Sequence, residues 1–584
     1  MTNLLLIAFQ NNSEIDNFNK KIKKLSNLIT PNNIKARDPI SVKFPGVHMG
    51  LINPISKEML YNNSIHVGLL LKKPQNWNKP KGKLPDGSYG LFRVDESKIE
   101  LITDFVGSRT IWYYFDQEKI IASTSQRAII FFLKSFIPNK KAQVWMLSSG
   151  SIGPRISWDK RIKVLPPNSV LSLDRAKWKY TVMTPPVKFQ DKKEINENLN
   201  KEFQFAIEDN FKRYSPDLQK FLFLLSGGYD SRGVLYLLKK HNRISQMKCL
   251  CWGMESSLKN KKSDSSIAKE LANKLDLDFE FLPTNLDDNI KKVFERFVKA
   301  SEGRVDDIAG YLDGFDIWKK VYEQKFSGII RSDEGFGWSY ATTKKGARRS
   351  ILLFLFSDYT FLKDPRLWGY EYKQNLPNYL KKRNTETVAQ WRDRLYHQYR
   401  IPTVLSALNH IKSLYVEIHN PLLTETILKT VRRLPDEYRT NKEIWKAYVK
   451  KLGNKNQMPI AKYPAIQEVS EVLNLKAVKE LFIKKFNSEP ANVLPNEVKD
   501  YVLSHLGEKD EEQTLISIFQ FFLKKLYLWV REKLLRNFTF LKGFLFDRLG
   551  KISMDINLFA FRAYIIIKIN EILENDSKIL INLK

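Results

Sequence analysis

In FLFLLSGGYDSRGVLYLLKK, residues 221–240, an apolar run stops at Ser226-Gly227-Gly228-Tyr229-Asp230-Ser231 and helical spacing resumes at Gly233. Residues 221–225 read as a strand buried on both faces. Gly227 and Gly228 let the backbone turn tightly and aim successive N–H groups outward. Ahead of a helix N-terminus those donors, with the helix dipole, suit a phosphate. Ser226 and Ser231 can donate to phosphate oxygens. Asp230 repels phosphate unless a cation lies between them, which implies Mg²⁺, a hard ion held by few carboxylates plus phosphate oxygens. No Gly-Lys-Ser/Thr follows, so this is not the kinase-type phosphate loop. A plain strand–turn–helix corner would need neither the two serines nor the aspartate.

The elements that must position this loop divide the chain in three. Residues 1–186 read as many short strands (SIHVGLLL, YGLFRVD, KIELITDF, TIWYYF, KIIASTS) separated by turns. Pro185-Pro186 is a stiff break. Residues 187–530 alternate strands with longer helices, which predicts an α/β unit with a parallel sheet, and become mainly helical from about residue 364. Residues 531–584 are basic and apolar together. They predict either an amphipathic segment for peripheral membrane or partner contact, or an added helical layer.

Composition narrows the classes. A chain of 584 residues with 43% hydrophobic and 12% aromatic content predicts two or three packed domains, not disorder. The two cysteines, Cys249 and Cys251, exclude a disulfide framework and fit a reducing cytoplasm; at alternate strand positions they read as small core residues. No signal peptide is read at the N-terminus, and no stretch reaches the ~18 apolar residues of a membrane span. The net charge of +32 is spread along the chain without an RNA-binding signature, so no specific nucleic-acid partner is expected.

SGGYDS resembles the SGGxDS loop of the PP-loop ATP pyrophosphatases, which split ATP into AMP and pyrophosphate. GIIRSDEGFGW, residues 328–338, is similar to the G-x-G-S-D-E-x-F-G-G stretch of asparagine synthetases. Ser332, Asp333, Glu334, Phe336 and Gly337 match; Arg331 and Trp338 replace usual glycines. The resemblance implies ATP and Mg²⁺ as cofactors. Ser226, Gly227, Gly228, Asp230, Ser231 and Ser332 would lie on the nucleotide, with Asp230 and Asp333 as metal ligands and Glu334 assisting. Leu250, Cys251 and Trp252, in MKCLCWGMES, are implied for the adenine pocket. VEIHNPLL resembles E-x-R-x-P-F-L-D: Glu417 and Pro421 match, while His419 and Thr424 replace the arginine and the aspartate. A lysine that contacts pyrophosphate follows in the family. Lys462, in MPIAKYP, is the first choice and Lys442 the second, with a solvated surface lysine as the competing reading.

The N-terminal part resembles the glutamine-hydrolysing domain of the same family through ELITDFVGSRTIWYY and KIIASTSQRAIIFFL, so the likeness spans roughly residues 85–530. Active members begin Met-Cys-Gly; this chain begins Met1-Thr2-Asn3 and lacks the glutamine-binding R-G-P-D and N-G-E-x-Y-N stretches. An inert domain is expected over a working Thr2 nucleophile, as in β-lactam synthetases. The implied fold is α/β: an Ntn-type αββα sandwich, then a PP-loop parallel-sheet domain with a helical C-terminal part. The implied activity is ATP-dependent amide formation from a small carboxylate and ammonia or an amine, the ammonia coming free or from a separate source. An intramolecular cyclase, a sugar-acid amidotransferase, a tRNA-modifying enzyme and a non-catalytic nucleotide-binding relative are the alternatives.

Overall fold

A computed structural model describes residues 2–190, 197–241, 244, 246–453, 459–488, 493–506 and 552–582. The N-terminal part holds two six-stranded sheets of antiparallel pairs. In the first, Asn3–Phe9 lies between Val47–Ile52 and Lys119–Ser123. Period-2 alternation sends Leu4, Leu6 and Ala8 into the core shared with the second sheet, where they meet Phe92, Leu101 and Leu171. Leu5 and Ile7 face the other way, towards the helices Phe18–Ile29 and Gln126–Leu133. The outer face of the second sheet carries only a small cluster of Trp77, Tyr89, Leu91 and Ile102. Here the later part of the chain supplies the cover: Asp86 accepts hydrogen bonds from the Glu425 and Thr426 amides at the start of the helix Glu425–Val431.

The later part is built on a five-stranded sheet whose order is Asp278–Pro283, Lys248–Gly253, Phe221–Leu224, Gly328–Ile330, Glu417–His419. All pairings are parallel, with Phe223 opposite both Cys249 and Ile330. The chain is thus mixed α/β, with antiparallel sheets first and a parallel sheet later. Phe221–Leu224 is the middle strand, which explains its unbroken apolar run.

Of the two readings of the tail, the described part fits the added helical layer and not the surface segment. Ile556–Lys578 is a 23-residue helix buried on nearly every side. Its Phe561 packs at 5.0 Å from Phe294 and 6.1 Å from Phe482. Its two ends reach into both halves of the chain: Asp576 receives Arg127 through Nε (2.7 Å) and Nη2 (3.1 Å), and Arg562 donates to Asp306 (2.7 Å) and to the Leu147 carbonyl (3.0 Å). A helix apolar all round belongs in a core, and Ile556–Lys578 offers no free apolar face to a membrane. Residues 531–551, and the 514–529 stretch read as a closing core helix, lie outside the described residues. Among the described residues no helix is long and apolar enough to cross a membrane.

Candidate functional site

The loop 226–228 joins the middle strand to the helix Tyr229–Lys240. Gly228 caps that helix without a side-chain acceptor, so the first-turn amides are left to a ligand or water. Ser231 fixes the loop from inside: its hydroxyl accepts the Ser226 amide (3.2 Å) and donates to the Ser226 carbonyl (2.9 Å). The glycines serve a different purpose from the one expected. Gly228 has φ −81°, an extended conformation open to any residue. Gly227 is needed for room, because a Cβ there would stand 2.9 Å from the Ala461 Cβ and 3.1 Å from Asp264 Oδ1. Asp264 already accepts the Gly227 amide at 2.7 Å.

Next to this loop, at the C-terminal ends of the parallel strands, lies a cavity of about 480 Å³. Ser226, Gly228, Asp230 and Ser231 line it from the first loop, Cys251 and Trp252 from the neighbouring strand, and Arg331, Ser332 and Asp333 from the strand on the other side. Two segments about a hundred residues apart in sequence therefore share one wall system. Leu250 is not on the wall; strand alternation turns it into the sheet core, 1% exposed, while Cys251 faces the cavity. Burial pushes both thiols, Cys249 and Cys251, up to about 12, which leaves them protonated and unreactive at neutral pH.

Lys442, not Lys462, reaches the loop. Its Nζ lies 2.8 Å from Asp230 Oδ2 and 2.7 Å from Glu334 Oε1. Burial works against the ammonium, but Glu334 and Asp230 together hold Lys442 above the ordinary lysine range. Asn441 and Lys442 both have left-handed backbone, with φ of 54° and 59°. Consecutive left-handed residues without glycine are costly and cluster where geometry serves a site. Lys462 is exposed; only its backbone takes part, donating to the Lys262 carbonyl at 2.9 Å. Glu417 also stands apart. It opens its strand, at the end remote from the cavity, and its Oε1 faces Arg109 Nη2 at 3.4 Å on the boundary with the N-terminal part.

The three expected metal ligands differ in their fit. Asp333 is gripped on both oxygens by Arg331 (3.1 and 2.7 Å) and on Oδ2 by Asn409 (2.9 Å). Burial raises its carboxyl, but Arg331 and Asn409 more than offset this and hold it below the usual range. Glu334 is 3% exposed, bound to Lys442 and to the Phe336 amide. Both are committed to protein donors. Asp230 is the carboxylate that suits an incoming cation. Its side chain is 32% exposed, and each oxygen carries one donor, Lys442 on Oδ2 and Trp445 Nε1 on Oδ1 (2.9 Å). Among the described residues no group of three or more His, Cys, Asp or Glu could enclose a metal, so a cation here would depend on ligand oxygens as well.

Trp445 is a site residue that sequence reading missed. It sits on the helix Glu443–Gly453 and packs over Gly233, where a Cβ would fall 2.2 Å from its Cζ2 atom. Gly233→Ala is therefore expected to shift the indole off Asp230 and to cost about 1–3 kcal/mol. Urea unfolding checks the cost, and a stability unchanged from the parent would contradict the packing described.

His397 braces the second loop from behind. Its Nε2 donates to the Gly335 carbonyl at 2.7 Å while Nδ1 accepts from Arg432 at 3.2 Å, a pattern only the neutral ring can make. Burial, with the Arg432 charge, lowers it to about 3. With a folded value below the unfolded 6.5, its contribution is full above pH 6.5 and is lost as pH falls towards 3. The stability gap between the parent and His397→Gln should thus narrow by about 1.4 kcal/mol per pH unit below pH 6. A gap independent of pH, by denaturant titration at pH 7, 6 and 5, would contradict this.

Thr2 is buried, and its hydroxyl accepts the Ile55 amide at 3.2 Å. The void beside it, about 20 Å³, has room for about one water molecule. No family model matches the chain, and no curated protein matches it.

Proposed function

We propose that the chain is an ATP-dependent, amide-forming ligase of the asparagine synthetase type. A substrate carboxylate attacks the α-phosphate of ATP, pyrophosphate leaves, and ammonia or an amine then displaces AMP from the acyl-adenylate. The observation that carries this reading is the meeting of the SGGYDS loop and Arg331-Ser332-Asp333 on one 480 Å³ cavity at the C-terminal edge of a parallel sheet, where open α/β sheets bind their ligands. The uncapped first turn of Tyr229–Lys240 and the Ser226 hydroxyl suit the pyrophosphate, while Ser231, whose proton goes to the Ser226 carbonyl, shapes the loop instead of donating to the ligand. Trp252 and Cys251 offer an apolar wall for adenine. Mg²⁺ arriving with the nucleotide would neutralise phosphate charge, with Asp230 as its protein ligand. Lys442, poised between Asp230 and Glu334, supplies a fixed cation near the developing charge.

The finer reading of the architecture follows from the same reaction. The second half is a PP-loop domain, and the two stacked sheets are an Ntn-type sandwich that has lost glutaminase activity. The void beside Thr2 supports that loss, being far too small for a glutamine side chain. Nitrogen then comes from free ammonia, a separate ammonia source or an amine on the substrate itself, which keeps cyclisation and sugar-acid amidation within this reaction class.

Pyrophosphate release with ATP, Mg²⁺ and aspartate tests the proposal, comparing added ammonia with added glutamine. Release with ammonia only, with asparagine formed, is expected of a synthetase without a glutaminase. Release with glutamine would overturn the inert N-terminal half. No release with either would remove aspartate and move the search to larger carboxylates.

A further inference from the structure

Lys412 lies on the helix Ser406–Ser413, is 8% exposed and lines the same cavity as Asp230 and Ser332. Its Nζ donates to Tyr311 Oη (2.9 Å) and to the Leu408 carbonyl (3.2 Å). A tetrahedral nitrogen with two N–H groups so engaged has one position left. In the ammonium that position holds the third proton; in the free amine it holds the lone pair. Among the described residues Lys412 has no carboxylate partner. The charged groups facing it are Arg331, already paired with Asp333, and Asp307 on the cavity wall. The rings of Tyr311 and Trp318 lie 5.3 and 5.7 Å from Nζ.

Such surroundings disfavour a permanent charge. Burial, helped by the Arg331 charge, brings Lys412 down to about 7. Lys442, by contrast, is locked between two carboxylates and cannot give up its proton near neutrality. Lys412 on the cavity wall and Lys442 behind Asp230 are therefore chemically distinct, the latter a fixed cation and the former able to exchange a proton at working pH.

We propose that Lys412 is the general base of the amide-forming half-reaction, an inference that rests on reading the cavity as an adenylate site. Its amine takes one proton from the acceptor ammonium. The electron pair so freed forms the new C–N bond to the acyl carbon, and the C–O bond to the phosphate breaks, releasing AMP with that pair. The second proton leaves the nitrogen as the tetrahedral adduct collapses and passes to AMP or solvent. Acyl-adenylate and ammonium thus give amide, AMP and two protons, one of them on Lys412.

The test is trace acetylation of the full chain with acetic anhydride from pH 5 to 11, reading Lys412 by peptide mass spectrometry. Labelling with a midpoint near pH 7, reduced at least tenfold by saturating ATP and Mg²⁺, is expected. A midpoint above pH 9 overturns the inference, and ATP protection at that midpoint would leave the nucleotide reading standing. A midpoint near 7 without ATP protection contradicts the nucleotide reading itself. In turnover with ATP, aspartate and ammonia, Lys412→Arg keeps the charge but not the base. It should hold ATP within threefold of the parent affinity and lose amide formation at least a hundredfold. An arginine variant as active as the parent overturns the role.

Discussion

Asp230→Asn lowers ATP-dependent pyrophosphate release by about 10²–10³-fold, the scale expected when one group aimed at developing charge is removed. The substitution keeps the shape. An amide oxygen can still accept Trp445 Nε1, but the amide NH₂ then faces the Lys442 ammonium, donor against donor. Lys442 falls back on Glu334 alone, and the loop loses its part-exposed carboxylate. The fold should survive, because Asp230 is not sealed in the core. Pyrophosphate release at parental rates by a folded Asp230→Asn protein would remove Asp230 from the chemistry and the loop with it.

Asp576→Ala destabilises the chain by about 3–5 kcal/mol, the cost of leaving a buried charge without its partner. The Arg127 side chain is 1% exposed, and two of its nitrogens are committed to Asp576. The remaining acceptor, the Leu28 carbonyl at 3.2 Å, cannot neutralise a guanidinium. The effect reaches beyond one contact, because Ile556–Lys578 ties the helix Gln126–Leu133 to the helices of the α/β part. The double variant Arg127→Met/Asp576→Leu should recover most of the loss, since apolar replacement of a buried pair is often neutral. Denaturant unfolding of Arg127→Met, Asp576→Leu and the double variant closes the cycle. Additive losses would contradict a shared buried pair.

What was legible in the sequence was what local spacing encodes. The apolar run, the SGGYDS turn and the resumed helix at 229–240 are contiguous, so strand, loop and helix could be read in order. The alternation of short strands before residue 186 likewise survives as two antiparallel sheets. The partners of the loop were not legible. Lys442 meets Asp230 across 212 positions, and nothing in the linear spacing favoured it over Lys462. Arg331 read as a mere departure from glycine, yet two residues on it grips the carboxylate expected to hold a metal. The tail left two readings open for a related reason. Basic and apolar residues together suit a membrane surface as well as a packed layer, and Arg562 is matched by Asp306 and by backbone carbonyls that only the folded chain brings near. Lys412 has no motif at all; its surroundings come from Tyr311, Leu408 and Arg331 on separate segments.

The most direct test of the central claim asks where ATP binds, independently of the unknown carboxylate. The full chain, with Mg²⁺, would be photolysed with 8-azido-ATP and the labelled peptides mapped. The account predicts saturable labelling on peptides carrying Cys251 and Trp252 or residues 464–466, which line the cavity beside the loop, abolished by excess ATP. Labelling confined to other segments, or none that ATP competes for, would contradict a nucleotide site at SGGYDS.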